Sequence, residues 1–189
     1  SESKMPISEK AKLIAAIRRT WPGEPGEKAQ RYIGAFFDGA RVGTKIKAQV
    51  VGNHGTYTVS IEAKDKEVVS ACSCYLGKGG FCHHCAALAT TFLQDPDGFV
   101  EVKPKKREDV KGLGDVHQYL QSVTLDDLTR QLSERGVTQK AFAESIGMDS
   151  RHLSAIKSSE ARNHFFNELG ATKLACLWVL EHLAEFKRE

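Results

Sequence analysis

The chain has 189 residues with a formal net charge of +3, and 41% of its residues are apolar and 27% charged. These values are those of an ordinary globular protein with one large or two small domains, so they exclude a disordered chain. No apolar run approaches the roughly 20 residues of a membrane-spanning helix, and the first residues lack the pattern of a signal peptide, which together predict a cytoplasmic protein without a membrane partner.

The N-terminal part of the chain begins with helical segments. Residues 8–20 carry apolar residues on one helical face, and Ser8 is a suitable N-cap. The stretch 21–26, rich in Pro and Gly, ends this helix. A second helical segment is predicted from Glu27 to about Phe37, followed by a loop at 38–40.

Beyond this loop the apolar residues alternate with polar ones, which is the period of a β-strand. Two such segments flank Gly52-Asn53-His54-Gly55, whose Asn and Gly tolerate positive φ, so a β-hairpin is predicted. A turn at Lys64-Asp65-Lys66 leads to a third strand at 68–72. A helix is predicted at 85–93, and Asp95-Pro96-Asp97-Gly98 ends it.

Residues 101–114 are charged, contain a proline and two glycines, and show no apolar period, so they predict a linker. Helical periodicity then continues to the end. Thr124 and Asp127 have the spacing of a capping box, which predicts the start of a helix at 125–135. Three further helices are predicted near 138–146, 150–157 and 171–186.

These elements predict an α+β fold class with two domains. Residues 1–100 combine helices with a small sheet, residues 101–114 form a basic linker, and residues 115–189 form an all-α domain. The last domain has nine Lys and Arg against eleven Asp and Glu. Any surface for nucleic acid on this domain therefore requires an uneven distribution of its charges.

Five cysteines are present, and four of them fall within fourteen residues. In a reducing compartment such clustering favours a metal site over a disulfide framework. The cluster consists of Cys72, Cys74, a seven-residue spacer rich in glycine, and then Cys82, His83, His84 and Cys85. A spacer of this kind can return the second group to the first. Three thiolates and one imidazole would complete a tetrahedral zinc site with no position for water.

The order of strand, ligand pair, loop, ligand pair and helix resembles the SWIM zinc finger, in which Cys-x-Cys is followed by a variable spacer and Cys-x-His. The matching residues are Cys72-x-Cys74 and Cys82-x-His84, and the resemblance covers about residues 27–94. It implies a SWIM-like domain that binds one structural Zn²⁺. The ligands that the resemblance implies are Cys72, Cys74, Cys82 and His84.

Two neighbouring side chains compete for the fourth ligand position, and a thiol redox role is an alternative to zinc binding. His83 is adjacent to the implied fourth ligand and is expected to point the other way, whereas Cys85 is expected to be a buried small apolar side chain. Cys82-x-x-Cys85 also has the spacing of a thiol redox motif, in which the first thiolate lies at a helix N-terminus. A redox role would leave the first two cysteines unexplained.

A second motif lies within residues 137–159. Two helices joined by a short turn with a glycine are typical of the DNA-binding helix-turn-helix. The spacing here, given by Gln139, Ala143, Gly147, Leu153 and Ile156, resembles that of Cro- and phage-repressor-like regulators over about residues 125–165. The resemblance implies double-stranded DNA as the partner, with the second helix in the major groove. The DNA-binding residues that it implies are Gln139, Ser150, Arg151, Ser154 and Lys157.

By position, Ser150 and Arg151 are expected to reach base edges, and the other three residues to lie near phosphates. Acidic residues are also expected near this surface, where they would repel phosphate. They are Glu144, Asp149 and Glu160. The final helix is apolar around most of its circumference, which predicts either that it closes the domain or that it forms a homodimer interface.

These motifs predict a zinc-binding, DNA-binding protein, specifically a bacterial or phage transcriptional regulator that recognises its operator through a helix-turn-helix. One alternative is an adaptor for protein partners in which zinc only holds the fold, and another is a thiol redox protein using Cys82 and Cys85. No Ser/His/Asp arrangement or phosphate-binding glycine loop stands out, so no enzymatic activity is predicted. Basic residues that would reach phosphates if the zinc module touched DNA are Lys45, Lys47, Lys78, Lys105, Lys106 and Arg107.

Overall fold

A computed structural model describes residues 5–65, 67–76 and 81–186. The chain forms two compact units, Ser1–Lys103 and Pro104–Glu189, and each has its own hydrophobic core. The fold is mixed α+β, and the described strands all lie in the first unit. Among the described helices, none has the length and apolar character needed to cross a membrane.

The first unit packs three helices against one five-stranded sheet. Its elements are α1 Glu9–Thr20, α2 Glu27–Gln30, β1 Phe37–Val42, β2 Lys45–Gly52, β3 Gly55–Lys64, β4 Glu67–Cys72, α3 His83–Gln94 and β5 Val100–Glu101. The strand order is β4-β3-β2-β1-β5. The pairs among β1 to β4 are antiparallel, and β5 pairs with β1 in parallel.

The predicted hairpin is confirmed. β2 and β3 pair up to Gly52 and Gly55, so Asn53 and His54 form a two-residue turn, and Gly55 takes the positive φ of 127°. Alternate residues of β2 are buried, as the period of two requires, whereas the central strand β3 buries Val59, Ser60 and Ile61 in succession. The third predicted strand is β4, but Lys66 of the predicted turn lies outside the described residues.

The second predicted helix is wrong beyond its first turn. The helix α2 ends at Gln30, and β1 begins at Phe37 where helix and then loop were predicted. Gly34 takes a φ of +76° and Asp38 a φ of +53°, and neither value is compatible with a continuing α-helix. The strand β1 is also irregular, because its register with β2 shifts between Phe37 and Ala40.

The core of the first unit lies between the sheet and the helices α1 and α3. Its largest fully buried side chains are Leu13, Ile17, Ile46, Ile61, Leu88 and Phe92. Full burial of one such side chain contributes about 1.5–3 kcal/mol relative to exposure. Ser8 caps α1 as predicted, because its side chain accepts a hydrogen bond from the backbone of Ala11.

The second unit is a small bundle of helices. They are α4 Leu113–Ser122, α5 Leu125–Glu134, α6 Gln139–Ser145, α7 Ser150–Ala161 and α8 Leu169–His182. The side chains of Thr124, Thr138 and Asp149 each accept a backbone N–H at the start of the following helix. These three N-caps fix where α5, α6 and α7 begin. The predicted linker 101–114 contains a 3₁₀ turn at Arg107–Asp109 and the first residues of α4.

A buried ion pair ties four helices of the second unit together. The Nζ atom of Lys173 on α8 lies 2.9 Å from Oε1 of Glu160 on α7 and also donates to the carbonyl oxygen of Leu120, at 2.8 Å. Oε2 of Glu160 accepts the backbone N–H of Leu125 at the start of α5, at 3.0 Å. The negative charge of Glu160 is therefore compensated within the unit by a buried ammonium group.

We expect Glu160→Ala to lower the free energy of unfolding by about 3–5 kcal/mol, because it leaves the ammonium of Lys173 buried without a counter-charge. The matched control is Glu144→Ala, which removes an acid that is 63% exposed and lies 3.8 Å from Lys140. An exposed pair of this kind contributes about 0–1 kcal/mol. Urea unfolding of both variants tests the prediction, and equal losses of stability would contradict it.

Candidate functional sites

Two pairs of side chains meet where β4 ends and α3 begins. Cys72 is the last residue of β4, Cys74 follows two residues later, Cys82 is the N-cap of α3, and His84 lies in its first turn. Their Sγ atoms and an imidazole nitrogen all lie within 4.8 Å of one another, and all four residues are buried. The structure therefore brings together the four residues that the sequence singles out. Lys78 and the spacer glycines, at 77, 79 and 80, lie outside the described residues.

The separations within the cluster fit a tetrahedral metal ion. Nδ1 of His84 lies 3.7 Å from Sγ of Cys72 and 3.8 Å from Sγ of Cys82. Zinc bonds of about 2.3 Å to sulphur and about 2.0–2.1 Å to nitrogen place such atoms roughly 3.6 Å apart at a tetrahedral angle. The four side chains could therefore hold a metal ion, and Nδ1 is the atom of His84 that faces the two sulphurs.

Aromatic rings orient the imidazole of His84. Tyr32 contacts it edge-on with ring centroids 4.6 Å apart, and Tyr57 lies at 5.1 Å. Nε2 of His84 is buried and has no hydrogen-bond partner among the described residues, so these rings hold the imidazole in place of a polar group. Gly52 makes room for Tyr57, because a Cβ at this glycine would lie 2.2 Å from the tyrosine ring.

The crowded thiols differ in acidity. Hydrogen bonding from Cys72, and then from Cys85 and His84, holds the pKa of Cys82 well below its usual range. The pKa of Cys72 and that of Cys85 are raised, first because each shares a hydrogen bond with Cys82 and second because each is buried. A metal ion needs deprotonated thiols, so its binding releases protons and is favoured by higher pH.

The two competing side chains occupy different positions. The ring of His83 stacks on that of Tyr32 with centroids 5.6 Å apart. The pKa of His83 is lowered by burial and then by the nearby charges of His84, Lys28 and Arg31. Cys85 is fully buried in the core, as expected, and its Sγ lies 3.7 Å from Sγ of Cys82. Neither residue belongs to the group of four.

Three of the five residues predicted to contact DNA form one network between α6 and α7. Nε2 of Gln139 donates to Oγ of Ser154 at 2.7 Å, and Nζ of Lys157 donates to Oε1 of Gln139 at 2.9 Å. Lys157 also lies 3.2 Å from Oδ1 of Asp126 on α5. These contacts hold the two helices at a fixed relative position.

The other two predicted residues begin α7. The side chain of Arg151 is 95% exposed, and its Nε lies 3.7 Å from Oδ1 of Asp149. The Asp149 carboxylate also caps the helix, because it accepts the backbone N–H of Arg151 at 2.7 Å. Ser150 is half-buried, and its carbonyl oxygen accepts a hydrogen bond from Ser154. Arg151 is therefore the most exposed of the five.

We expect Cys74→Ser to lose the bound metal and to unfold the segment 45–94, because metal binding to such a cluster supplies about 10–16 kcal/mol of folding free energy at neutral pH. The control is Cys176→Ala, which removes a buried thiol of the second unit whose pKa burial raises to about 12. Elemental analysis and far-UV circular dichroism check both variants. Stoichiometric metal in the Cys74→Ser protein would rule out its role as a ligand.

Comparisons of this chain with protein-family models, with curated proteins and with solved structures find no match in any of the three. The four residues that could hold a metal ion are buried and come in two pairs, one from the end of a strand and one from the start of a helix. The second unit presents two paired helices, α6 and α7, and the exposed first turn of α7.

Proposed function

We propose that this chain is a zinc-binding, DNA-binding protein that acts as a transcriptional regulator. In this proposal the first unit holds one structural Zn²⁺, and the second recognises double-stranded DNA through α7. The observation that carries the proposal is the exposed N-terminal end of α7, where Arg151 extends into solvent beyond a tight two-helix turn. Arginine at such a position suits bidentate contact with guanine in the major groove.

The donor set supports zinc. Three thiolates and an imidazole in a tetrahedral arrangement favour zinc or an iron–sulphur cluster over hard cations such as magnesium. Four protein ligands leave no open position, so the proposal gives the ion a structural role and assigns no catalytic step to it. The placement of Cys72 at a strand end and of His84 in the first turn of a helix supports the SWIM-like interpretation.

The packing of α6 and α7 supports a helix-turn-helix. The first helix ends at Ser145 and the second begins at Ser150, and Gly147 between them takes a φ of +72°. Ala143 is fully buried, as a close approach of the two helices requires, and Leu153 faces the same core. In that geometry α7 would lie in the major groove with its first residues toward the bases.

The acidic residues of the second unit weigh less against this proposal than their number suggests. Glu160 is paired with a buried lysine, and Glu144 lies near Lys140. Lys157 is shared between Gln139 and Asp126, so a phosphate contact from it would require an exchange of partners. We therefore assign the main base contact to Arg151 and a positioning role to the network around Gln139.

We expect Arg151→Ala to weaken binding to a cognate duplex roughly 5- to 150-fold, the loss that corresponds to about 1–3 kcal/mol for one bidentate base contact. The matched control is Arg130→Ala, which removes an exposed arginine from α5. Genomic fragments are screened by gel shift, and the retained duplex is titrated by fluorescence anisotropy. Absence of binding to any fragment at about 50 mM salt, or equal effects of the two variants, would refute the proposal.

The exposed side of α8 supports a homodimer. A groove of about 490 Å³ runs between α6 and α8, lined by Phe142, Ile146, Val179 and Trp178. Trp178 is 56% exposed, so it both borders the groove and projects beside it. A two-fold interface needs one patch that supplies both the projecting group and its socket. A dimer would place two copies of α7 about 34 Å apart on a two-fold operator.

We expect the wild-type protein to sediment as a dimer at micromolar concentration and Trp178→Glu to sediment as a monomer, because the new charge would be buried at the interface. Leu113→Glu is the control, since Leu113 is 91% exposed on α4 and away from the groove. Analytical ultracentrifugation checks all three proteins. A monomeric wild type would contradict the proposed dimer and leave the Arg151 test unaffected.

A further inference from the structure

Two pairs of aromatic rings lie beside the candidate metal ligands. Phe81 immediately precedes the ligand Cys82, and its ring centroid lies 6.3 Å from that of Trp21. His83 immediately follows the same ligand and stacks on Tyr32. We call these four residues the aromatic rim: Trp21, Tyr32, Phe81 and His83. Because Phe81 and His83 are the two sequence neighbours of Cys82, their position in the rim follows the position of this candidate ligand.

The rim offers ring surface to solvent. Phe81 is 69% exposed, which is unusual for so large an apolar side chain next to a well-packed core. The rings of Phe81 and Trp21 are inclined at 51°, so neither covers the face of the other. Phe81 thus presents a ring face on which another flat group can stack.

Positive charge lies beside the rim. Lys28 on α2 and Arg31, which immediately precedes Tyr32 of the rim, are both exposed. Glu27 is the acidic residue of the same short helix. The combination of exposed ring faces with lysine and arginine matches a ligand that has flat apolar groups along a negatively charged backbone.

We propose that the aromatic rim, with Lys28 and Arg31, binds single-stranded nucleic acid. An unpaired base stacks on Phe81 beside the half-buried Trp21, and the two cations neutralise the adjacent phosphates. A duplex does not fit this chemistry, because its bases stack on one another and offer no free face to a protein ring. The inference concerns the first unit and does not depend on duplex recognition by α7.

The metal-loaded full chain is titrated with fluorescein-labelled oligothymidine and, in parallel, with oligouridine and with a duplex of the same length. We expect Phe81→Ala to weaken single-strand binding roughly 5- to 150-fold, the effect of losing one stacked base. Phe81→Leu keeps the apolar volume without the ring face and should fall close to Phe81→Ala. Comparable binding of oligouridine and oligothymidine would assign the site to the shared base and phosphate chemistry, and a preference would identify RNA or DNA.

Three further variants separate stacking from charge and from the second unit. Arg31→Ala should weaken binding and reduce the salt slope by about 0.7, the value for one phosphate contact on a single strand. Phe165→Ala removes a phenylalanine of the second unit that is 88% exposed, and it should have no effect. Arg151→Ala should weaken only duplex binding, so failure of one proposal remains distinguishable from failure of the other.

Direct contact with the rim is measured through the fluorescence of Trp21. In the Trp178→Phe background Trp21 is the single tryptophan, and oligothymidine should quench its emission. Metal content and circular dichroism establish that each variant is folded; if Phe81→Ala loses metal, binding by Arg31→Ala and Lys28→Ala decides the test. The proposal is overturned by absence of salt-dependent binding to single strands, by unchanged binding in Phe81→Leu, or by equal binding of polyglutamate.

Discussion

The convergence of two ligand pairs is the constraint on which the first unit depends. Cys72 and Cys74 leave the end of β4, and Cys82 and His84 enter α3, so their meeting joins the edge of the sheet to the helix that covers it. Burial of several thiols and an imidazole costs free energy unless an ion or hydrogen bonds compensate it. A bound metal contributes about 10–16 kcal/mol, which is as large as the whole stability of a typical domain. A metal ion held by these four residues would therefore make the cluster and the apolar core two parts of one folding unit.

The second unit is organised differently, because α7 is held from two sides by other helices. Near its start the hydrogen bonds of Gln139 with Ser154 and Lys157 join it to α6, and near its end Glu160 joins it to α8 through Lys173. Ahead of both anchors, the first turn of α7 carries Arg151, whose side chain is 95% exposed. A helix that inserts into a groove requires such an arrangement, because its contact residues must be positioned by a rigid support.

The sequence predicts those features of the fold that depend on residues close together in the chain. The cysteine spacing, the hairpin at Gly52–Gly55 and the cap at Thr124 all follow from residues a few positions apart. The features that the sequence does not predict depend on partners far away in the chain or on the backbone angles of single residues. The strand β5 has only two residues and exists through its parallel pairing with β1, and the partner of Glu160 is a lysine thirteen residues away on another helix. The sequence pattern does not show that Trp21 and Phe81 meet, because sixty positions separate them.

The position of the aromatic rim links its proposed ligand to the metal. Phe81 and His83 flank the candidate ligand Cys82, so we expect the arrangement of their rings to depend on the meeting of the ligand pairs. A ligand that binds the arranged rim and not the open chain stabilises the metal-bound state. By linkage, the metal strengthens the binding of that ligand by the same free energy. Single-stranded nucleic acid would thus slow the loss of metal to a chelator, whereas a duplex bound through Arg151 of the other unit would leave that rate unchanged. In this proposal the metal does more than hold the fold, because its binding also controls whether the neighbouring surface forms.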